Sequence, residues 1–183
     1  FQLYMMRDRD FAKSLVDRAK AAGADALVLT VDLQLMAKRH KDHRNELQAP
    51  PKLTPKHIYH VMTRPIWAMK MAGTRRHTFG NIVGHAKGVD SIGSIHAWTN
   101  KQFDPELSWK DVSWIKKHWG GRLIVKGVLD VEDARAAVDA GADVINVSNH
   151  GGRQLDGTVS SIRAFPEIAD AVGLSRRQIE RLF

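Results

Sequence analysis

The chain has 183 residues, of which 43% are hydrophobic and 26% are charged. This length suits one globular domain, and the composition excludes an intrinsically disordered chain. No stretch approaches the roughly 20 consecutive apolar residues of a membrane span, so none of these residues is expected to cross a bilayer. The sequence contains no cysteine, which excludes disulfides, zinc thiolates and thiol nucleophiles.

The net charge of +8 comes from one third of the chain. Residues 34–90 contain 11 Lys and Arg against 3 Asp and Glu, together with 6 of the 9 His. Prolines and glycines interrupt this segment, so we interpret it as a long basic loop excursion between two regular regions. It could contact an anionic membrane surface or an acidic partner, or be a solvated surface. No nucleic-acid-binding motif accompanies it, so we predict no nucleic-acid partner.

The regular regions alternate between strands and helices. Apolar runs predict five strands, at residues 1–5, 26–32, 122–127, 144–150 and 178–183. Amphipathic segments between them predict helices over residues 9–22, from residue 131, and from residue 160 to 171. Strands alternating with helices are typical of a parallel α/β protein.

An internal repeat distinguishes between two parallel α/β architectures. Residues 19–32 and 137–150 each contain a helix end, a Gly-Ala-Asp stop and a short apolar strand, which places Asp32 and His150 at equivalent strand ends. Lys126 ends a third strand. Polar side chains gathered at the carboxyl ends of strands are typical of a (β/α)8 barrel. Since no Gly-x-Gly-x-x-Gly motif follows a strand, we predict the barrel rather than an open doubly wound sheet.

The segment Ser148–Asp156, with the sequence Ser-Asn-His-Gly-Gly-Arg-Gln-Leu-Asp, carries the clearest chemical signal. His150 can accept or deliver a proton near neutral pH. Arg153 offers a forked donor that matches a carboxylate. Together these residues indicate proton abstraction from a bound carboxylic acid.

This segment resembles the signature of the FMN-dependent α-hydroxy-acid dehydrogenases and oxidases. Residues 109–115 and 130–134 are most similar to the respiratory, quinone-linked L-lactate dehydrogenases of that family. The other motifs that carry the resemblance are, in chain order, Phe1-Gln2-Leu3-Tyr4, Leu29-Thr30-Val31-Asp32, Phe103-Asp104-Pro105, Ser108-Trp109-Lys110-Asp111 and Val125-Lys126-Gly127.

The resemblance implies catalytic and substrate-binding roles for five residues. His150 matches the base that removes a proton from the hydroxy acid while two electrons pass to FMN. Asp32 matches the carboxylate that orients this histidine and stabilises its protonated form. Arg153 matches the clamp for the substrate carboxylate, Tyr4 a substrate-binding phenol, and Arg39 a second substrate-side arginine.

The resemblance also implies cofactor contacts. Gln2, Thr30 and Lys126 match residues that contact FMN, and Ser148 is a further candidate. Lys126 is expected near the side of the ring where a cation stabilises the reduced, anionic flavin. The histidines have no convincing metal-ligand spacing, so no metal is predicted.

The resemblance covers the middle of the enzyme, about five of eight barrel units, so we expect one partial hydroxy-acid dehydrogenase domain over residues 1–183. The predicted function is oxidation of an L-2-hydroxy acid, L-lactate to pyruvate, with a quinone as electron acceptor. A glycolate or lactate oxidase, a mandelate dehydrogenase and a non-catalytic fragment remain as alternatives. We expect a cytoplasmic protein, peripherally bound to the cell membrane and homo-oligomeric at full length.

Overall fold

The computed structural model of the chain describes residues 1–33, 37, 40–45, 54–75, 78–90, 92–102 and 104–173. It contains two compact units, one of residues 1–37 and 102–183 (unit 1) and one of residues 38–101 (unit 2). The helices and strands are, in chain order, β1 (Gln2–Tyr4), α1 (Arg9–Ala21), β2 (Ala26–Thr30), α2 (His40–Arg44), α3 (Pro55–Met62), α4 (Pro65–Gly73), α5 (Ile92–Gln102), α6 (Trp109–Trp119), β3 (Arg122–Val128), α7 (Val131–Asp139), β4 (Val144–Val147) and α8 (Ser161–Ala171).

Unit 1 is built on a parallel sheet in the order β1-β2-β3-β4. Adjacent strands in the sheet are also successive strands in the chain, as is common for strands joined by short connections. Residues Leu29 and Val125 are paired across β2 and β3, and both are fully buried. The predicted strand over residues 178–183 lies outside the described residues.

The core of unit 1 lies between one face of the sheet and its helices. Because successive strand residues point to opposite faces, the fully buried Leu27, Leu29, Leu123 and Val125 share a face. Helices α6 and α7 contact β3, and α8 contacts β4. They bury apolar side chains of their own, among them Val112, Ile115, Ala134, Ala137 and Ile168. The opposite face of the sheet carries Val28, Thr30, Ile124 and Lys126.

An arginine joins the start of α1 to α6 and to the segment that precedes α6. Arg9 Nη2 lies 2.6 Å from Asp104 Oδ2 and 2.9 Å from Asp111 Oδ1. The Asp104 side chain is only 9% exposed, and its Oδ1 accepts a hydrogen bond from the Glu106 amide at 3.1 Å. A buried carboxylate of this kind requires its cation, so Arg9 fixes residues 104–111 against the turn after β1.

The described part of unit 2 consists of helices and of turns over residues 78–90. Pro55 and Pro65 each occupy a first-turn position, of α3 and α4 respectively, where the missing amide proton of proline costs no helical hydrogen bond. Neither α3 nor α4 contains a buried residue. Among the described residues, no helix is long and apolar enough to cross a membrane.

A charged contact connects α6 to the ends of β3 and β4. Asp143 Oδ2 accepts hydrogen bonds from Lys116 Nζ at 2.6 Å and from the Leu123 amide at 2.7 Å. Both hydrogen bonds lower the pKa of Asp143 below its ordinary value of 3.8, and the bond from Lys116 has the larger effect. Asp143 is the last residue of the second Gly-Ala-Asp stop, so this motif also connects neighbouring strands.

We predict that Asp143→Asn lowers the melting temperature at neutral pH, because the amide keeps an acceptor for Leu123 but loses the charge that binds Lys116. A carboxylate with a lowered pKa in the folded protein stabilises it fully above its ordinary pKa of 3.8 and loses this contribution as the pH falls below that value. The melting-temperature difference should therefore be constant from neutral pH to about pH 4 and shrink as the pH falls further.

The exposed Asp139 provides the control. Asp139→Asn should leave the melting temperature nearly unchanged across the same range. A melting-temperature difference for Asp143→Asn that stays constant as the pH falls below about 4 would contradict the ion pair as its cause.

Candidate active site

Polar side chains form a row across the uncovered face of the sheet, near the carboxyl ends of its strands. The register pairs Tyr4 with Thr30 and Thr30 with Lys126. Asn146 continues the row on β4, paired with Lys126. Since paired residues of a parallel sheet point to the same face, the predicted residues of three strands share one surface.

Gln2 connects two members of this row. Its Nε2 donates to Thr30 Oγ1 at 2.7 Å and lies 3.1 Å from Tyr4 Oη. Thr30 is 2% exposed, whereas Tyr4 is 36% exposed. The threonine hydroxyl is thus a buried anchor for Gln2, while the phenol remains accessible.

His150 and Asp32 form the central pair of the site. Nδ1 of His150 lies 2.9 Å from Asp32 Oδ1, and the two side chains are 17% and 13% exposed. Since an ionised carboxylate only accepts hydrogen bonds, Nδ1 carries the proton and donates it to Asp32. The other ring nitrogen, Nε2, then keeps its lone pair and can act as a base.

Ser148 connects this pair to Lys126. Its Oγ accepts hydrogen bonds from Lys126 Nζ and from the His150 amide, both at 3.1 Å. With its oxygen accepting from two donors, the hydroxyl has its own proton left to donate. Four of the predicted residues, Asp32, Lys126, Ser148 and His150, thus belong to one hydrogen-bonded network.

The backbone around His150 is held in an unusual conformation. His150 has a φ of 57°, in the left-handed region, and Gly151 and Gly152 follow with φ of 65° and 67°. Three consecutive residues in this region favour glycine at the second and third positions, because a Cβ there is sterically disfavoured. The two glycines therefore allow the sharp turn that ends at Arg153.

Asn149 stabilises this turn through its side chain and backbone. Its Oδ1 accepts from the Gly151 amide at 3.0 Å, and its Nδ2 donates to Val159 O at 3.3 Å. Its own amide donates to Ser161 Oγ, at the start of α8, at 3.2 Å. The sequence analysis assigned Asn149 no role, although an asparagine before a residue in the left-handed region is a recognisable turn signal.

The structure describes one of the two predicted substrate-binding arginines, Arg153. Arg153 is exposed, and its amide donates to His150 O at 3.3 Å. Within the described residues its guanidinium has no hydrogen-bond or ion-pair partner, which leaves it free to bind an anion. Arg39 lies outside the described residues.

A family model agrees with this arrangement over almost the whole chain. The model described as FMN-dependent dehydrogenase matches residues 1–180. The chain belongs to this family. Its members are FMN-dependent oxidoreductases, which confirms both the predicted family and its cofactor.

Relatives in the family include lactate and mandelate dehydrogenases. The chain is 46% identical over 173 residues to an L-lactate dehydrogenase of Pseudomonas aeruginosa PAO1, covering 94% of this chain and 45% of the relative. It is 47% identical over 174 residues to an L-lactate dehydrogenase of Caulobacter sp. K31, covering 94% of this chain and 46% of the relative. A crystal structure of the monotopic membrane protein (S)-mandelate dehydrogenase superposes with a TM-score of 0.85 at 31% identity, covering 94% of this chain and 46% of that chain.

The comparisons also define the architecture. The parallel α/β sheet of unit 1 and the similarity to FMN-dependent dehydrogenases confirm the predicted (β/α)8 barrel class, here as a partial barrel. The chain spans about 45% of the length of the Pseudomonas relative. The uncovered face of the sheet, with its row of polar side chains, corresponds to the interior of such a barrel.

We predict that Asn149→Ala loosens the turn at His150, because the Gly151 amide loses its acceptor. A hydrogen bond with a net contribution of ~1 kcal/mol corresponds to about fivefold faster hydrogen exchange of that amide through local opening. Exchange measured by mass spectrometry on peptides covering residues 149–157 checks this.

Asn149→Asp serves as the matched variant, since it keeps an acceptor for Gly151 but cannot donate to Val159. Its exchange at Gly151 should stay close to that of the wild type. Equal rates in the wild type and Asn149→Ala would show that the side chain does not hold the turn.

Proposed function

We propose that the complete polypeptide carrying this chain oxidises L-lactate to pyruvate, with FMN as the first electron acceptor and a quinone as the second. The observation that carries this proposal is the 2.9 Å hydrogen bond between His150 and Asp32. It leaves His150 Nε2 as a basic nitrogen three residues before Arg153, whose guanidinium has no hydrogen-bond or ion-pair partner among the described residues. A base and a carboxylate-binding cation three residues apart suit a 2-hydroxy acid, which carries both a removable proton and a carboxylate.

Substrate binding is assigned to three residues. The Arg153 guanidinium binds the substrate carboxylate through two parallel hydrogen bonds, as its fork geometry allows. The accessible Tyr4 phenol hydrogen-bonds to the substrate. Arg39 is proposed as a second substrate-side cation from the sequence resemblance alone.

Proton transfer is assigned to His150. Its Nε2 accepts a proton from the hydroxy acid, and Asp32 stabilises the imidazolium that results, as a carboxylate does for the histidine of a catalytic triad. The oxidation removes two electrons and two protons from lactate, so His150 accounts for one of the protons. Bound FMN supplies the two-electron acceptor.

The residues present on the uncovered face fit a flavin. The ammonium of Lys126 has three protons and, among the described residues, one hydrogen-bond partner, Ser148 Oγ. The Ser148 hydroxyl has a proton left to donate. Donors of this kind match the carbonyl oxygens of a flavin and the negative charge of its reduced form. We therefore assign Lys126, Ser148, Gln2 and Thr30 to FMN binding.

A mandelate dehydrogenase is the second candidate function, because of the TM-score of 0.85 with (S)-mandelate dehydrogenase. The values of kcat/KM for L-lactate, (S)-mandelate and glycolate, measured with a soluble quinone and with oxygen, distinguish the candidates. A preference for L-lactate and the quinone supports the first function. A preference for mandelate, or efficient use of oxygen, would replace it.

We predict that His150→Gln in the complete polypeptide lowers the kcat for L-lactate by at least about 10²-fold and leaves bound FMN unchanged, because glutamine cannot accept the proton. The matched control is His118→Gln. His118 also lies 2.7 Å from a carboxylate, that of Asp17, but on α6 and away from the network. The His118→Gln enzyme should keep the wild-type kcat for L-lactate.

Arg153→Lys tests the carboxylate clamp in the same assay. It should raise KM and lower kcat/KM, since an ammonium cannot form both hydrogen bonds of the guanidinium. If His150→Gln retained most of the lactate oxidation rate, the assignment of the base would be wrong.

We also propose that unit 2 attaches the protein to an anionic membrane surface. Helices α3 and α4 expose large apolar side chains, of which Met62, Ile66 and Trp67 are 74%, 67% and 52% exposed. An open concavity of about 480 Å³ is lined by the residues that connect α3 to α4 and by α4 itself, namely Thr63, Arg64, Pro65, Ile66, Trp67 and Lys70. An apolar and aromatic surface with adjacent basic side chains suits the interface of an anionic bilayer.

This attachment agrees with one observation on a relative and with the electron acceptor proposed above. The relative with a TM-score of 0.85 is described as a monotopic membrane protein. A quinone acceptor is held in a membrane, so a protein that reduces it must reach the surface. Attachment on the cytoplasmic side of the membrane is proposed from the sequence alone.

We predict that the complete polypeptide cosediments with anionic vesicles and that binding weakens as salt increases. Each basic side chain near such a surface contributes about 1 kcal/mol. The triple variant Lys56→Gln, Arg64→Gln and Lys70→Gln should therefore weaken binding on the order of 10²-fold.

A control variant loses the same number of positive charges, three, from unit 1. Lys13→Gln, Lys110→Gln and Lys117→Gln change exposed lysines of α1 and α6 and should leave vesicle binding within about twofold of the wild type. Equal binding to neutral vesicles, or binding to neither kind, would remove the membrane assignment.

A further inference from the structure

Gly127 occupies an irregular position within β3. Lys126 pairs with Asn146 and Val128 pairs with Val147, so Gly127 is an extra residue in the β3–β4 pairing. Its φ is 111°, a backbone conformation that residues with a side chain rarely adopt. A bulge of this kind is typically a feature that redirects neighbouring side chains.

The missing side chain of Gly127 makes room for Asp32. A Cβ at Gly127 would lie 2.6 Å from both Cβ and Cγ of Asp32 and 2.9 Å from its backbone nitrogen. Separations below 3.0 Å are essentially never observed for a Cβ atom. Gly173 also has a positive φ, of 86°, but no atom of the described residues lies within 4 Å of its Cβ position. Close approach, and not only backbone conformation, therefore distinguishes Gly127.

The backbone next to Asp32 offers it little room to move away. The Val31 amide donates to Lys126 O at 2.9 Å, which ties the residue before Asp32 to the residue before Gly127. A Cβ at Gly127 must therefore displace the Asp32 side chain or break this strand contact.

Packing is also the main restraint on the Asp32 carboxylate. Its Oδ1 accepts the hydrogen bond from His150. Its Oδ2 is buried and has no hydrogen-bond partner among the described residues. With one oxygen unpaired, the orientation of the carboxylate depends on the surface it packs against, and Gly127 forms that surface.

We propose that Gly127 is a positioning residue that sets the Asp32 carboxylate against His150. This inference rests on the proposed function, in which His150 is the base. Gly127 touches neither substrate nor the reacting atoms. It acts by letting Asp32 lie within hydrogen-bond distance of Nδ1, and a displacement of about 1 Å is enough to impair such a pair.

A double-mutant cycle in the complete FMN-loaded enzyme tests this proposal. Gly127→Ala should lower kcat for L-lactate on the order of 10²-fold, with KM within about twofold of the wild type. Asp32→Asn keeps the size of the side chain but removes its charge. In the Asp32→Asn background, adding Gly127→Ala should change kcat by less than about threefold, because both changes remove the same interaction. Gly173→Ala controls for alanine at a positive φ without a neighbouring atom and should keep the wild-type kcat.

A structural measurement accompanies the cycle and does not depend on turnover. In a crystal structure of the Gly127→Ala enzyme, the distance from His150 Nδ1 to Asp32 Oδ1 should exceed 2.9 Å, its length in the present structure, and the hydrogen bond should be lost. An unchanged distance, or multiplicative effects of the two substitutions on kcat, would overturn the proposal. Absence of any hydroxy-acid oxidation by the wild type would instead refute the proposed function, and the distance would still test Gly127.

A further variant covers the case in which Gly127→Ala does not fold or bind FMN. Combining Gly127→Ala with Asp32→Gly removes the Cβ and Cγ atoms that the alanine would meet at 2.6 Å and leaves only the backbone nitrogen, at 2.9 Å. The double variant should then fold and bind FMN to a greater extent than Gly127→Ala alone. If it does not, the contact with Asp32 is not what Gly127 provides, and the proposal is wrong.

Discussion

The hydrogen bond between His150 and Asp32 joins residues 118 positions apart in the sequence. It depends on the strand order and the strand register of unit 1. Asp32 follows β2 and His150 follows β4, so β3 must lie between them at a fixed register. The buried Leu29 and Val125 hold that register from the helical side of the sheet. A shift of one residue along either strand would turn the polar row toward the helices.

The same arrangement explains why the site is both strained and well supported. His150 adopts a left-handed backbone conformation, at φ 57°, which is costly for a residue with a side chain. Ser148 and Asn149, its neighbours in the chain, compensate by hydrogen-bonding to the amides of His150 and Gly151. Backbone strain at the proposed base, together with hydrogen bonds that hold its amide and the next one, is typical of a preorganised site.

The helices α3 and α4 of unit 2 differ from the helices of unit 1 in where their apolar side chains lie. In unit 1 each of α1, α6, α7 and α8 buries apolar residues in the core. In α3 and α4 the apolar residues are exposed and basic residues lie among them. An exposed apolar surface of this kind is typical of a site that contacts a membrane or another protein. The proposed membrane attachment supplies that contact and gives the concentrated charge of residues 34–90 a function.

The sequence by itself determined the parallel α/β class and the repeated helix–Gly–strand units, and it predicted the side chains that the structure brings together in the network of Asp32, Lys126, Ser148 and His150, because strand periodicity and the Ser148–Asp156 motif are local signals. It also identified Pro65 as an interruption, which the structure places at the start of α4. Only the tertiary structure decided which atoms meet: the pairing of Nδ1 with Asp32, the role of Ser148 between Lys126 and His150, and the space that Gly127 leaves for Asp32. These contacts join residues far apart in the chain, and they depend on strand register and on a bulge that no local pattern specifies. Asn149 lies between the two cases, since its type was visible in the sequence but its partners Val159 and Ser161 became its neighbours only through the fold.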